Sequence, residues 1–303
     1  MIQKGVLFGL CLLGMFEPVL GQEKVTLRLV YPEGRTVRYK NKHSFYYFSD
    51  KGEIILVSGS FDARHYGEWQ SREVVIPVEG DETGVRIVAS ISKGGSQGTL
   101  LGNRLSYEDF PFTLDMLNDR KFSWHVSSEG HIDRFDPDFP AYKIERQDMI
   151  TDLYQCWVPG MAPVLPGGPV GKGDTWQGEQ TFERRFASMD VGGKCVMQFT
   201  STYKVKKIKK KKGRTIVEID EDRKVRYRGW FHIEALSLMI DGEGSGNADW
   251  EIDVDRGLML SHKMKIGIGE PQVTMSGQMD PIEGIHAEIE LVFSRKLDKV
   301  EKE

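Results

Sequence analysis

Three kinds of string hold residue types from which chemistry could be built. GGSQG, Gly94 to Gly98, has the G-x-S-x-G spacing that exposes a serine at a strand-to-helix corner, where a helix N-terminus helps hold an oxyanion. Its flanks, VRIVASISK and TLLGNRLSY, carry no alternating helices, so the expectation is a hairpin loop and no catalytic role for Ser96. VLPGGPVGKGDTWQGEQTF, Val164 to Phe182, invites a phosphate-loop reading. Such a loop needs G-x-x-x-x-G-K followed by Ser or Thr at the mouth of a helix, so that backbone N–H groups face the phosphates. Here Pro166 takes the first glycine position and Gly173 the Ser/Thr position, and the residues after it read as a strand with Trp176 at its start. The string is therefore a join between structural units, and no nucleotide is expected.

The charged clusters are dense. KVKKIKKKKGR places six Lys between Lys206 and Lys212. Lysines of this density suit an anionic lipid or polyanion surface; the reading preferred here is a solvated hairpin tip whose like charges discourage edge pairing. No aromatic residue is interleaved with them, which argues against nucleic acid. EIDEDRK and EIDVDRG hold carboxylates at Glu218, Asp220, Glu221 and Asp222 and at Glu251, Asp253 and Asp255. Neither has the D-x-[DN]-x-[DN]-G pattern of a calcium loop, and both are expected on a wet strand face. The seven His form no HExxH and no zinc-like spacing with Cys. No metal, no cofactor and no enzymatic activity are expected.

The elements that must position any site begin after residue 21. An uncharged run from Gly5 to Phe16 behind Lys4 has the length of a secretory signal and is too short to span a bilayer. Cleavage is expected near Gly21, which makes the chain secreted or periplasmic and not transmembrane. Cys156 and Cys195 then form an even pair in an oxidising compartment, open to a disulfide or to two buried thiols. A net charge of -4 over 303 residues gives no global basic field. The 33 Gly and 12 Pro are spread along the chain, as hairpins require.

Most of the chain alternates. Val37, Tyr39, Phe45 and Tyr47 oppose Arg38, Lys40, Lys42 and Ser44, and Met264, Ile266 and Ile268 oppose Lys263 and Lys265. Strands wet on one side are antiparallel. One segment departs: YKIERQDMITDLYQCWV, from Tyr142, puts Met149, Ile150, Leu153, Tyr154 and Trp157 at helical spacing until Pro159. The stretches on either side look alike, with Gly34 matching Gly173, Gly84 matching Gly213, and Trp124 with Gly130 matching Trp250 with Gly257. The predicted fold is mostly β, an α+β protein in which two repeated meanders make a strongly curved or half-barrel antiparallel sheet with one central helix. Its parts are a signal peptide over 1–21, a first meander over 22–138, helix and Pro/Gly connector over 139–172, and a second meander over 173–303, with 22–303 one unit.

The LP-x-x-PV-x-x-GD-x-W string from Leu165 to Trp176, after the predicted helix and before a second meander, resembles an uncharacterised family of secreted bacterial proteins. The order of parts is also loosely similar to the LolA/LolB-like lipoprotein carriers, whose antiparallel sheet curls over helices and holds acyl chains. That likeness implies a non-catalytic binder of a lipid or other hydrophobic small molecule. Ile150, Leu153, Tyr154, Trp157 and Met161 at the helix and Met264 in the second meander are the expected ligand contacts, Met being adaptable to varied ligands. Met239 and Met259 support the same reading. The competing expectation is a cell-envelope scaffold or protein-interaction module without a pocket; a hydrolase ranks third.

Overall fold

The computed structural model describes residues 24–49, 61–78, 81–100, 103–104, 118–119, 121–127, 132–135, 162–187, 191–233, 236–276 and 287–302. Every regular element among them is a strand: β1 (Thr36–Ser49), β2 (Phe61–Val78), β3 (Asp81–Leu100), β4 (Asn103–Arg104), β5 (Lys121–Val126), β6 (Ile132–Phe135), β7 (Thr175–Ala187), β8 (Val191–Lys211), β9 (Arg214–Ile233), β10 (Leu236–Asp253), β11 (Leu258–Ser276) and β12 (Ala287–Lys302). They form one antiparallel sheet in the order β6-β5-β3-β2-β1-β12-β11-β10-β9-β8-β7, with β4 paired to β3 beside it. Apolar and polar residues alternate as a half-buried strand requires. On β1, Val37 and Tyr39 are buried while Lys40 and Lys42 face water.

The α+β expectation is corrected by this architecture. The two meanders meet directly where β1 pairs with β12 from Thr36↔Lys302 to Ser49↔Ala287, so the first and last strands lie side by side in the middle of the sheet. Among the described residues the fold is all-β, a single open sheet of eleven strands in order plus β4. The segment expected to be helical, and with it Ile150, Leu153, Tyr154, Trp157 and Met161, lies outside the described residues, as do the expected signal peptide and Cys156.

The two halves repeat one backbone arrangement. The Gly34 N–H donates to the Val75 carbonyl at 3.0 Å and the Val75 N–H to Arg35 at 3.0 Å; the Gly173 N–H donates to Val205 at 2.8 Å and the Val205 N–H to Asp174 at 3.0 Å. Both glycines have positive φ, 70° and 89°, a conformation that costs a residue with a Cβ. From these anchors the ladders run in step: Val75 opposes Ile87, which opposes Trp124, and Val205 opposes Ile219, which opposes Trp250. Gly84 does not match Gly213. The first lies within β3, whereas the second occupies the β8–β9 turn at φ 78°. Gly130 is outside the described residues.

Two extended segments outside the ladder cover one end of the sheet's inner face. Residues 24–35 bring Leu27 and Leu29, and residues 162–174 bring Ala162, Val164 and Val170, all buried. The segments pair with each other, Val25 with Val170 at 2.9 and 2.8 Å, and the first goes on to donate from the Val30 N–H to Gly257 at 3.0 Å. Glycine makes room for both. A Cβ on Gly178 would lie 2.6 Å from the Val164 Cβ, and one on Gly257 would lie 2.5 Å from Val30.

Candidate functional site

Between the covered end and the rest of the inner face lies a belt of buried polar and aromatic side chains. On the first half, the Asn41 Nδ2 donates to the Ser71 Oγ at 3.0 Å, and the Ser71 Oγ donates to the Glu73 Oε1 at 3.1 Å. The other Glu73 oxygen takes the Arg295 Nη2 at 2.5 Å, so an ion pair links β2 to β12 across β1. The Arg295 guanidinium lies 3.6 Å from the centre of the Tyr39 ring, and the Tyr39 hydroxyl donates to the Met259 carbonyl at 3.3 Å. Burial, more than any neighbouring charge, pushes the Tyr39 phenol up.

On the second half, Glu221 is held by three side chains. It accepts from the Ser201 Oγ at 2.6 Å, from the Arg223 Nε at 2.7 Å and from the Trp250 Nε1 at 2.8 Å. The Arg223 Nη1 reaches the Met264 sulfur at 3.0 Å. Tyr203, on the same face of β8 as Ser201, accepts the Val164 N–H at 3.2 Å, and burial, helped by the Glu221 charge, pushes its phenol up to about 12. His262 sits between the two halves, its ring stacked on Trp250 at 3.8 Å and tilted against Phe293 at 5.8 Å.

Met264, an expected ligand contact, is 1% exposed and packed in the core with Arg223 on its sulfur. Two expectations are corrected here. Glu221 and Asp253 are not on a wet face. Strand parity puts Glu221 beside Ile219 and Arg223 inside, and Asp253 is fully buried, accepting the Arg256 N–H at 3.1 Å in the β10–β11 turn. GGSQG is not a loop but part of β3, Ser96 opposing Gly67. Met259 is buried, and Met239 is exposed on the outer face. The belt was missed because Glu73, Arg295, Glu221 and Arg223 read as surface charges. Their signal is parity: Trp69, Ser71, Glu73 and Val75 stand at alternate positions, as do Phe199, Ser201, Tyr203 and Val205, so a charge falls on an apolar face.

The other polar strings do structural work. Gly171 to Asp174 form a turn in which the Gly171 N–H donates to the Asp174 Oδ2 at 2.9 Å, and Thr175 opens a strand. The lysine run meets the acidic strings across the outer face, Lys206 with Asp220 at 3.0 Å and Lys209 with Glu218 and, at 3.1 Å, Glu251. Similar pairs continue along the sheet, Lys265 with Glu290 at 2.6 Å and Lys40 with Asp298 at 2.7 Å. The outer face is thus a charged ladder, and the inner face is apolar on either side of the buried belt.

Inward of the covered end, Tyr31, Tyr39, Glu73 and Arg295 help line a small cavity of about 40 Å³, room for a water and not for an acyl chain. On the other side of the belt the inner face turns apolar again. Phe199, Val225, Ile266 and Ile268 are buried there, and Met197, Tyr227 and Leu291 pack against them.

No protein-family model matches the chain, and no curated protein matches it. Solved structures similar to it include an outer membrane channel from Pseudomonas putida F1, at 8% identity over 89% of this chain and 98% of that one with a TM-score of 0.20. OccK11 (OpdR) of Pseudomonas aeruginosa aligns at 7% identity over 90% and 100%, TM-score 0.19, and a triple-mutant porin of Rhodopseudomonas blastica at 8% over 87% and 100%, TM-score 0.20. TM-scores of this size do not amount to a shared fold. No helix of the described residues is long and apolar enough to cross a membrane.

Proposed function

We propose that the protein is an extracytoplasmic, non-catalytic binder of an elongated hydrophobic molecule such as an acyl chain, held along the inner face of the sheet. The observation that carries this reading is the apolar inner wall beyond the buried belt, where Met197, Tyr227 and Leu291 stay partly exposed over buried Phe199, Val225, Ile266 and Ile268 on strands that continue past the covering segments. β8 and β9 are 21 and 20 residues long, roughly 65 Å at about 3.3 Å per residue. Their covered end holds its own chain, which leaves the apolar stretch on the far side of the belt as the place for a ligand. The charged outer ladder favours water on that side, the opposite polarity to a strand that faces lipid. The belt carboxylates are held by belt donors, Glu221 by Ser201, Arg223 and Trp250, and so serve the sheet rather than a reacting group. The expected secretory signal points the same way.

Native mass spectrometry of protein purified from its host, before and after solvent extraction, tests the reading. A lipid mass that extraction removes, with a fluorescent fatty acid taken up afterwards, is the expected result. A bare chain that takes up no fatty acid overturns it. One observation favours the interaction-module reading instead: Trp230 and Met239 oppose each other across β9 and β10 and are 38% and 44% exposed. A protein partner displaced by changing both to Ser would support that reading.

A further inference from the structure

A histidine deep in a core is normally anchored by a hydrogen bond on at least one ring nitrogen, because burying a polar group without a partner is costly. His262 is 2% exposed, and neither ring nitrogen has a hydrogen-bond partner among the described residues. Its ring is clamped between Trp250 and Phe293. The charged groups around it come from three strands. Arg295 of β12 is its partner across the ladder, β9 contributes Arg223 and Glu221, and β2 contributes Glu73. β10 offers only the indole of Trp250, and β1 offers Asn41 and His43 next to Arg295 and Phe293. Both carboxylates are already engaged, Glu73 by Arg295 and Ser71, and Glu221 by Arg223, Ser201 and Trp250. A proton on His262 therefore meets two guanidiniums and an indole face, with no acceptor of its own.

We propose that His262 is an acid-sensitive latch, whose protonation the closed belt cannot hold, so that acidification opens the inner face between β9 and β12. Burial first, and then the Arg223 and Arg295 charges, hold the imidazole well below its ordinary value of 6.5. The unfolded chain takes up the proton near 6.5 while the folded one does not. Stability is therefore complete above that value and falls as the pH drops below it, until the folded ring titrates. One proton makes the unfolding constant rise about tenfold for each pH unit below 6.5. Where the inner face carries an apolar ligand, the same opening releases it; this corollary rests on the function proposed above, and the latch does not.

The test is the urea midpoint of lipid-extracted protein between pH 7.5 and 5, for the natural chain and for His262→Gln. The expected result is the tenfold-per-unit dependence in the natural chain and a flatter one in the variant. An unchanged slope in His262→Gln overturns the latch. If His262→Gln does not fold, an NMR titration of the natural chain decides: a His262 ring that titrates near 6.5 in the folded state overturns the proposal, and one that stays neutral until the belt signals broaden supports it. Release of a preloaded fluorescent fatty acid over the same range tests the corollary. A latch without release would count against the binder and not against His262.

Discussion

The two halves place a serine at the same point of the ladder and use it differently. Ser71 and Ser201 each stand four residues before the valine that anchors its half, Val75 or Val205. Ser71 donates to Glu73, whose ion pair to Arg295 is 222 residues distant in the chain and ties the first meander to the second. Ser201 donates to Glu221, whose arginine is two residues away on the same strand and whose third donor is Trp250. The first carboxylate depends on a remote arginine, and the second is built into one meander with three donors. The seam between the halves should therefore be the more fragile.

Replacing one member of each pair tests that difference. Arg295→Met leaves Glu73 buried with Ser71 alone and should cost about 3–5 kcal/mol, the range for stranding a buried charge. Arg223→Met leaves Glu221 with Ser201 and Trp250 and should cost about 1–3 kcal/mol. Equal losses in urea unfolding would show that the two pairs are interchangeable. Changing Glu73 to Leu together with Arg295 to Met should recover much of the first loss, since an apolar pair in that place strands no charge.

The turns offer a second, smaller contrast. Gly257→Ala puts a Cβ at positive φ against Val30, combining backbone strain with overpacking, and should cost about 2–4 kcal/mol. Gly213→Ala, at φ 78° with nothing within 4 Å, should cost only the conformational part, about 1 kcal/mol. If both cost the same by thermal unfolding, residues 24–35 do not press on the sheet as described.

The alkaline limb separates the covered end from the outer face. The folded Tyr203 phenol is raised from 10.0 to about 12, so its contribution is complete below pH 10 and is lost as pH rises toward 12. Tyr203→Phe should make the decline in melting temperature above pH 10 shallower, although it also removes the acceptor of the Val164 N–H. The smallest effect belongs to the lysine run. Lys209→Ser breaks an outer-face pair with Glu218 and Glu251 and should cost less than about 1 kcal/mol, shrinking further in added salt. A larger loss would mean that the hairpin tip packs against something more than its own ladder.

Strand formation was legible in the sequence because alternation is local. The period-two pattern around Tyr39 and Met264 predicts which side of each strand is buried, and the glycine before each meander predicts a turn, since only glycine takes positive φ without cost. The same local rules put GGSQG in a loop, which its pairing with β2 overrode, and aligned Gly84 with a turn glycine when it lies inside a strand. The belt was less legible. Each of its charges has the residue type of a surface group and the parity of a core group, and only the arrival of a partner decides between them.

What the chain determines by itself is its alternation, its turns and the surplus of apolar faces that must be covered. These follow from side-chain period and backbone sterics within a few residues. Only the tertiary structure decided that the first and last strands pair in mid-sheet, that residues 24–35 and 162–174 are the cover, and that Arg295 comes to rest on Glu73. Those are meetings between residues far apart in sequence. The free energy of burying a charge or an apolar face depends on what lies across from it, and nothing local to Glu73 or His262 says what that will be.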